Sequence, residues 1–250
     1  MIDIKTTEEI NKIKKLAQII SEILKIIKMN IRPNTDTLKL DEIASKTMKD
    51  YKVKPAFLGY KNYPASICVS INNELVHGIP SKDKIIKEGD IVTVDIGIQH
   101  GGFYADMAET IPVGNISTER QRLLNVTKNC IDIALKYCSP LNRIGDISYS
   151  IQKYVESNGF SVVRDFVGHC IGRNLHEKPE IPNFGKKNYG DKLYPGMVLC
   201  LEPMVCAGDW QVEILSDGWT VITKDRKDCA HFENMVLITE SVPEVLTNYF

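Results

Sequence analysis

Twice along this chain, two amphipathic helical patterns are followed by a block of short strand-like runs, with the join near residue 116. The first pattern opens on Thr6, Thr7, Glu8 and Glu9, a capping box in which Thr and a Glu three residues on satisfy each other's backbone donors. It continues through Ile10, Ile13, Leu16, Ala17, Ile20, Leu24 and Ile27 at spacings of three and four, and Asn30 and Pro33 end it. Thr37 is read as the cap of a shorter helix carrying Leu40, Ile43, Ala44 and Met48, after which Pro55, Gly59 and Pro64 break the helical register. Residues 67–111 change to the β-type runs ICVSI, ELVHGI, DIVTVDIGI and GFYADMAETI. A second long helix is predicted over 119–137 and a second short one over 147–155, ended by Gly159, and strands return from residue 160 onward. Identity between the halves is low, so what repeats is pattern. The order predicts one α+β domain over residues 1–250, built from halves of about 1–116 and 117–250, with any active site at their interface.

Composition excludes several functions for such a fold. Against 32 Asp+Glu stand 31 Lys+Arg, a formal net charge of −1, and no Lys/Arg run supplies the basic stripe that a phosphate-gripping nucleic-acid binder needs. With 43% hydrophobic and 25% charged residues over 250 positions, the chain can bury a substantial core and is not disordered. Its seven cysteines are odd in number and contain no Cys-x-x-Cys pair, which reads as a reduced cytoplasmic chain and not a disulfide framework or zinc ribbon. The start MIDIKTTEEINKIKK interrupts any positive leader with acids, and lysines space its apolar positions, so neither a signal peptide nor a membrane span is predicted.

The chemistry concentrates in four places. In DIVTVDIGIQHGGFYADMAE, alternation places Asp95 in mid-strand, and a turn centred on His100-Gly101 would set it opposite Asp106 on one face. Cβ atoms of such a pair lie roughly 4.5–5.5 Å apart, so the two carboxylates need a shared proton or a cation between them; two aspartates at a solvated edge are the alternative. Glycine-flanked His169, with His77 and His176, places three of the five histidines in Gly/Pro-punctuated β segments. Glu202 and Glu233 stand in the apolar runs VLCLEPM and FENMVLI, where a carboxylate is costly unless it is paired with a buried arginine or bound to a metal. Four embedded carboxylates and a histidine make an oxygen-rich set that suits divalent ions, two better than one.

The ordered motifs ELVHGIP (74–80), VDIGI and GFYADMAET (94–110), GHCIGRNLHEKP (168–179), LEPM (201–204) and HFENMV (231–236) resemble type I methionine aminopeptidases, over nearly the whole chain. His176 and Glu202 are only 26 positions apart, and no Cys/His-rich extension precedes the first helix, which points to the short bacterial-like or organellar form. The resemblance implies the pita-bread (creatinase/aminopeptidase) fold of peptidase family M24, two pseudo-symmetric halves with antiparallel sheet covered by helices. It implies a metalloaminopeptidase that removes initiator methionine from nascent chains when the second residue is small. Asp95, Asp106, His169, Glu202 and Glu233 would then hold two divalent ions (cobalt, manganese, iron(II), zinc or nickel), with Asp106 and Glu233 bridging. Glu202 would be the general base, and His77 and His176 would contact substrate, His176 helping to polarise the scissile carbonyl. Tyr60, Tyr63, Cys68, Leu175 and Trp219 would surround the methionine side chain.

Three positions depart from the family's pattern: Cys170 where glycine is usual, Leu175 where a larger residue is frequent, and Phe57 where cysteine is common. Cys170, beside a ligand, is expected to be a site of oxidation or covalent inhibition. The expected partners are N-terminal methionine peptides, with transient ribosome contact, no specific nucleic acid, no membrane, and a monomeric cytoplasmic state. Because Ile2 is bulky, the chain should retain its own Met1, which intact mass after expression would check. Two competing readings are an Xaa-Pro aminopeptidase or prolidase, which usually carries a further N-terminal domain, and a non-catalytic pita-bread binding protein, which typically loses metal ligands.

Overall fold

A computed structural model of the chain describes residues 2–249; Met1 lies outside the described residues. The first half begins with α1 (Thr7–Lys28) and α2 (Thr37–Asp50). Both sides of the Thr6/Glu9 capping box form. The second helix is capped by Asp36 and not Thr37: the Asp36 carboxylate accepts from the Lys39 backbone N–H, while Thr37 is already helical and its hydroxyl donates to the Ser81 carbonyl. Such a cap contributes about 1 kcal/mol, whereas each buried Ile or Leu contributes about 1.5–3 kcal/mol. The buried stripe of α1, which includes Ile13, Leu16, Ile20, Leu24 and Ile27, therefore dominates its stability.

Strands β1 (Lys54–Pro55), β2 (Ile67–Ile71), β3 (Glu74–Val76), β4 (Ile91–His100) and β5 (Phe103–Pro112) complete this half. Antiparallel β4 lies between β5 on one side and β2 and β1 on the other. The hairpin turn is Gly101-Gly102, one step beyond the expected His100-Gly101, because a two-residue turn of this hand needs positive φ at both central positions; the two glycines have φ of 59° and 82°. The register therefore pairs Gly97 with Asp106 and Asp95 with Ala108, so the aspartates are diagonal neighbours and not directly opposite. A shift of two positions keeps both on the same face.

The second half repeats the order with α3 (Thr118–Leu135) and α4 (Ile144–Ser157). Strands β6 (Ser161–Val162), β7 (Val167–Cys170), β8 (Glu177–Pro182), β9 (Val198–Leu201), β10 (Met204–Cys206), β11 (Val212–Ile214), β12 (Val221–Thr223), β13 (Cys229–His231), β14 (Asn234–Leu237) and β15 (Glu244–Val245) follow. The largest sheet has the order β15-β14-β9-β7-β8, with smaller sheets β13-β10-β6 and β11-β12-β3. One apolar core packs α1 and α2 on β2, β4 and β5, and another packs α3 and α4 on β7, β9 and β14. Between the two main sheets the Glu233 N–H donates to the Ala108 carbonyl at 2.8 Å. Among the described residues no helix is long and apolar enough to cross a membrane.

Candidate active site

That bridge decides where the acids meet. Ala108 is the direct partner of Asp95, and its carbonyl holds Glu233, so one row of backbone pairing brings Asp95, Glu233 and the nearby Asp106 together from three strands or strand ends. One carboxylate oxygen from each of these three lies within 4.8 Å of the others. On the β7 side, the His169 Nδ1 is 3.0 Å from the Cys170 carbonyl and so carries the proton, leaving Nε2 with its lone pair. That nitrogen lies 3.5 Å from Glu202 Oε1 and 4.0 Å from Asp106 Oδ2. Glu202 follows β9 directly, and its backbone carbonyl is fixed by the Asn183 side-chain amide at 2.9 Å.

Of the four carboxylates, Asp106 and Glu233 are buried and Asp95 and Glu202 are partly so. Burial raises Asp95 to about 7 and pushes Asp106, Glu202 and Glu233 well above the ordinary carboxylate range, with mutual repulsion adding to the effect at Asp106, Glu202 and Glu233. Asp95 Oδ1, Asp106 Oδ1 and Glu233 Oε1 have no hydrogen-bond partner. Buried arginine partners, the alternative to metal, are not what the described residues provide: the ion-pairing side-chain nitrogens within 4.0 Å of this set belong to His169 and His231. Oxygen-rich donors with one imidazole and orphaned anionic oxygens fit divalent cations.

The acids and His169 open into a cavity of about 470 Å³ that also receives Tyr60, Tyr63, Cys68, His77, Leu175, His176 and Trp219. Tyr63 donates to the carbonyls of Ile67 and Gly78 at 3.1 Å each, and Trp219 meets its ring edge-on at 5.0 Å. His77 takes a left-handed backbone (φ 59°), costly for a residue with a side chain, at the end of β3, and lies edge-on to Phe166 and Trp219. Burial, helped by nearby His176 and Lys61, lowers it to about 4. His176 meets His169 edge-on with ring centroids 4.4 Å apart, and its Nδ1 is 2.9 Å from the Tyr60 hydroxyl. Burial also lowers its pKa, so it meets the cavity as a neutral ring.

Every residue assigned from the sequence to metal, catalysis or substrate contact thus reaches this cavity. Two further residues beside the acid cluster were not singled out. His231 is buried with both ring nitrogens unpartnered, its Nε2 3.8 Å from Glu202 Oε2. Cys200, paired with His169 across β9 and β7, places its thiol within 4.8 Å of ligand atoms of His169 and Glu233. The signal was available: both flank chosen glutamates, two positions before Glu202 and two before Glu233. Cys170, by contrast, is only 3% exposed and its thiol is pushed up to about 12 by burial, which withdraws it as a site of oxidation or covalent inhibition. Phe57 lines the cavity over Gly97, where a Cβ would lie 2.5 Å from its ring.

The model of metallopeptidase family M24 matches residues 11–240. Methionine aminopeptidases of Clostridium perfringens and Bacillus subtilis are 47% and 45% identical to the chain, each alignment covering 99% of both sequences. The crystal structure of methionine aminopeptidase from Thermotoga maritima superposes with a TM-score of 0.97 at 46% identity, covering 99% of this chain and 100% of that one. Prolidase from Pyrococcus furiosus shares the fold at 23% identity and a TM-score of 0.81, with 66% of its length covered.

Proposed function

The chain belongs to metallopeptidase family M24, and from that membership we propose how it works as an aminopeptidase that removes N-terminal methionine when the second residue is small. Asp95, Asp106, His169, Glu202 and Glu233 would hold two divalent ions, of the cobalt, manganese, iron(II), zinc or nickel kind. When bound, such ions lower the pKa of water toward neutrality and polarise a carbonyl, which is why no serine or cysteine nucleophile is needed.

The protein's own groups do the rest. Glu202 takes the proton of the attacking water and delivers it to the leaving amine. His176, held by the Tyr60 hydroxyl, meets the scissile carbonyl and holds its oxygen as charge develops there. His77, edge-on to Phe166 and Trp219, contacts the substrate as well. Tyr60, Tyr63, Cys68, Leu175 and Trp219 receive the methionine side chain, an unbranched thioether that packs well on rings. A transient contact with the ribosome, a monomeric state and a cytoplasmic location belong to the same proposal.

One observation carries this reading: four carboxylates gather beside a histidine, and three of their buried oxygens are left without a partner. The test is hydrolysis of Met-Ala-Ser, Ala-Ala-Ser and N-acetyl-Met-Ala-Ser by chelated protein with manganese, cobalt or iron(II) added back. Only Met-Ala-Ser should be cut, and only with metal. Cleavage of the acetylated peptide, or full activity in chelator, contradicts the proposal.

A further inference from the structure

Between β7 and β8 the chain turns through Gly172, Arg173, Asn174, Leu175 and His176, and this turn presents both Leu175 and His176 to the cavity. It is not held by its own strands alone. Lys5, from the segment before α1, is 3% exposed, and its ammonium lies 2.6 Å from Glu177 Oε2, with the Lys5 and Glu177 side chains 0% and 5% exposed. The other oxygen of Glu177 accepts from the Asn174 N–H at 3.0 Å, so the ion pair is passed directly into the turn.

The approach of Lys5 is built into the backbone. A Cβ on Gly172 would lie 2.0 Å from Lys5 Cε, so glycine there leaves the channel the lysine occupies. The Lys5 N–H donates to the Gly196 carbonyl at 3.0 Å, and its ammonium also donates to the Asp3 carbonyl at 3.2 Å. On the outer side of the turn, Arg173 pairs with Asp3 and Glu9. The turn is therefore gripped at both flanks, Arg173 and Glu177, by the segment that leads into α1.

A buried ion pair contributes little net stability, since desolvation of both charges offsets their attraction and an apolar pair of similar volume does as well or better. Its location therefore matters more than its strength. Glu177 is the residue next to His176, and the pair fixes which way the turn faces. We infer that Lys5 is a positioning residue for this site: through Glu177 and Asn174 it holds the 173–177 turn so that His176 and Leu175 face the substrate. The inference rests on the proposed contact of His176 with the scissile carbonyl.

The test compares metal-loaded wild type, Lys5→Met, Lys5→Met/Glu177→Gln and His176→Ala in Met-Ala-Ser hydrolysis, with amide hydrogen exchange followed over 172–178 and over 91–112. In Lys5→Met, kcat should fall about 10–100-fold, as expected for misplacement of a catalytic group by about an ångström. KM should change far less, and exchange should quicken in 172–178 but not in 91–112. If the single variant does not fold, the double variant, which leaves no buried charge unpaired, carries the test with the same expected losses. Wild-type kcat with unchanged exchange in whichever variant folds overturns the inference. Wild-type kcat in His176→Ala removes instead the reading of His176 on which it rests.

Discussion

Glu202 faces two imidazoles, His169 at 3.5 Å and His231 at 3.8 Å, and among the described residues it forms no ion pair with a lysine or arginine. That setting suits a carboxylate that must exchange a proton within one turnover. Replacing it by glutamine keeps the shape and removes the basicity, so kcat in Glu202→Gln should fall by about 10²–10⁴-fold, read from initial rates at saturating metal. His176→Ala should lower kcat more than it raises KM, because its hydrogen bond strengthens as the carbonyl becomes an oxyanion; a change in KM alone would make it a ground-state contact. The same residues set the pH response of the metal-free protein. Asp95, raised to about 7, and its raised neighbours Asp106, Glu202 and Glu233 favour the folded state while protonated, and that contribution is lost as pH climbs through their folded values. His77, lowered to about 4, and His169 and His231, each lowered to about 3 by burial, act in the opposite sense, weakening the fold only below the ordinary histidine value of 6.5. Above that value the carboxylates act alone. The thermal midpoint in chelator should therefore drop between about pH 6.5 and pH 8, and added divalent metal should cancel the drop; a midpoint that rises with pH would contradict the assigned protonation.

At the level of elements, the hairpin shows what a sequence can and cannot reveal. Alternation identified the faces of β4 and β5, because period two survives any even shift, and so both aspartates were correctly assigned to one face. Register depends instead on backbone sign at the turn, and only the pair of positive φ angles at Gly101 and Gly102 distinguishes the observed pairing from its neighbour. The cap of α2 was misread for a similar reason: Asp36 and Thr37 are both good caps, and the choice follows from Thr37 reaching across to Ser81, 44 residues away. His231 and Cys200 were missed because each enters the site through pairing between distant strands, His231 opposite Met204 and Cys200 opposite His169. Gly97, opposite Asp106, can be tested at this scale. Its alanine variant would drive a Cβ into the Phe57 ring and should cost about 1–3 kcal/mol by denaturant unfolding. In a Phe57→Cys background the same change should cost much less; equal costs would show that the ring is not what glycine accommodates.

For the whole molecule, the repeated order of helices and strands was legible from periodicity, and the two apolar cores follow it closely, one beneath α1 and α2 and the other beneath α3 and α4. We propose that the chain works as one catalytic domain of two halves, since neither half holds the acid cluster alone: Asp95 and Asp106 come from one, His169, Glu202 and Glu233 from the other. The near-zero net charge concealed this concentration, because composition counts charges without locating them. Four of 32 acids gather in one cavity. Calorimetric titration of chelator-stripped protein with manganese or cobalt reads that claim most directly. The wild type should bind about two ions per chain, as four converging carboxylates favour over one, and Asp106→Asn should lose at least one of them while remaining folded. A wild type that binds no ion, or an Asp106→Asn variant that binds as the wild type does, would contradict the account.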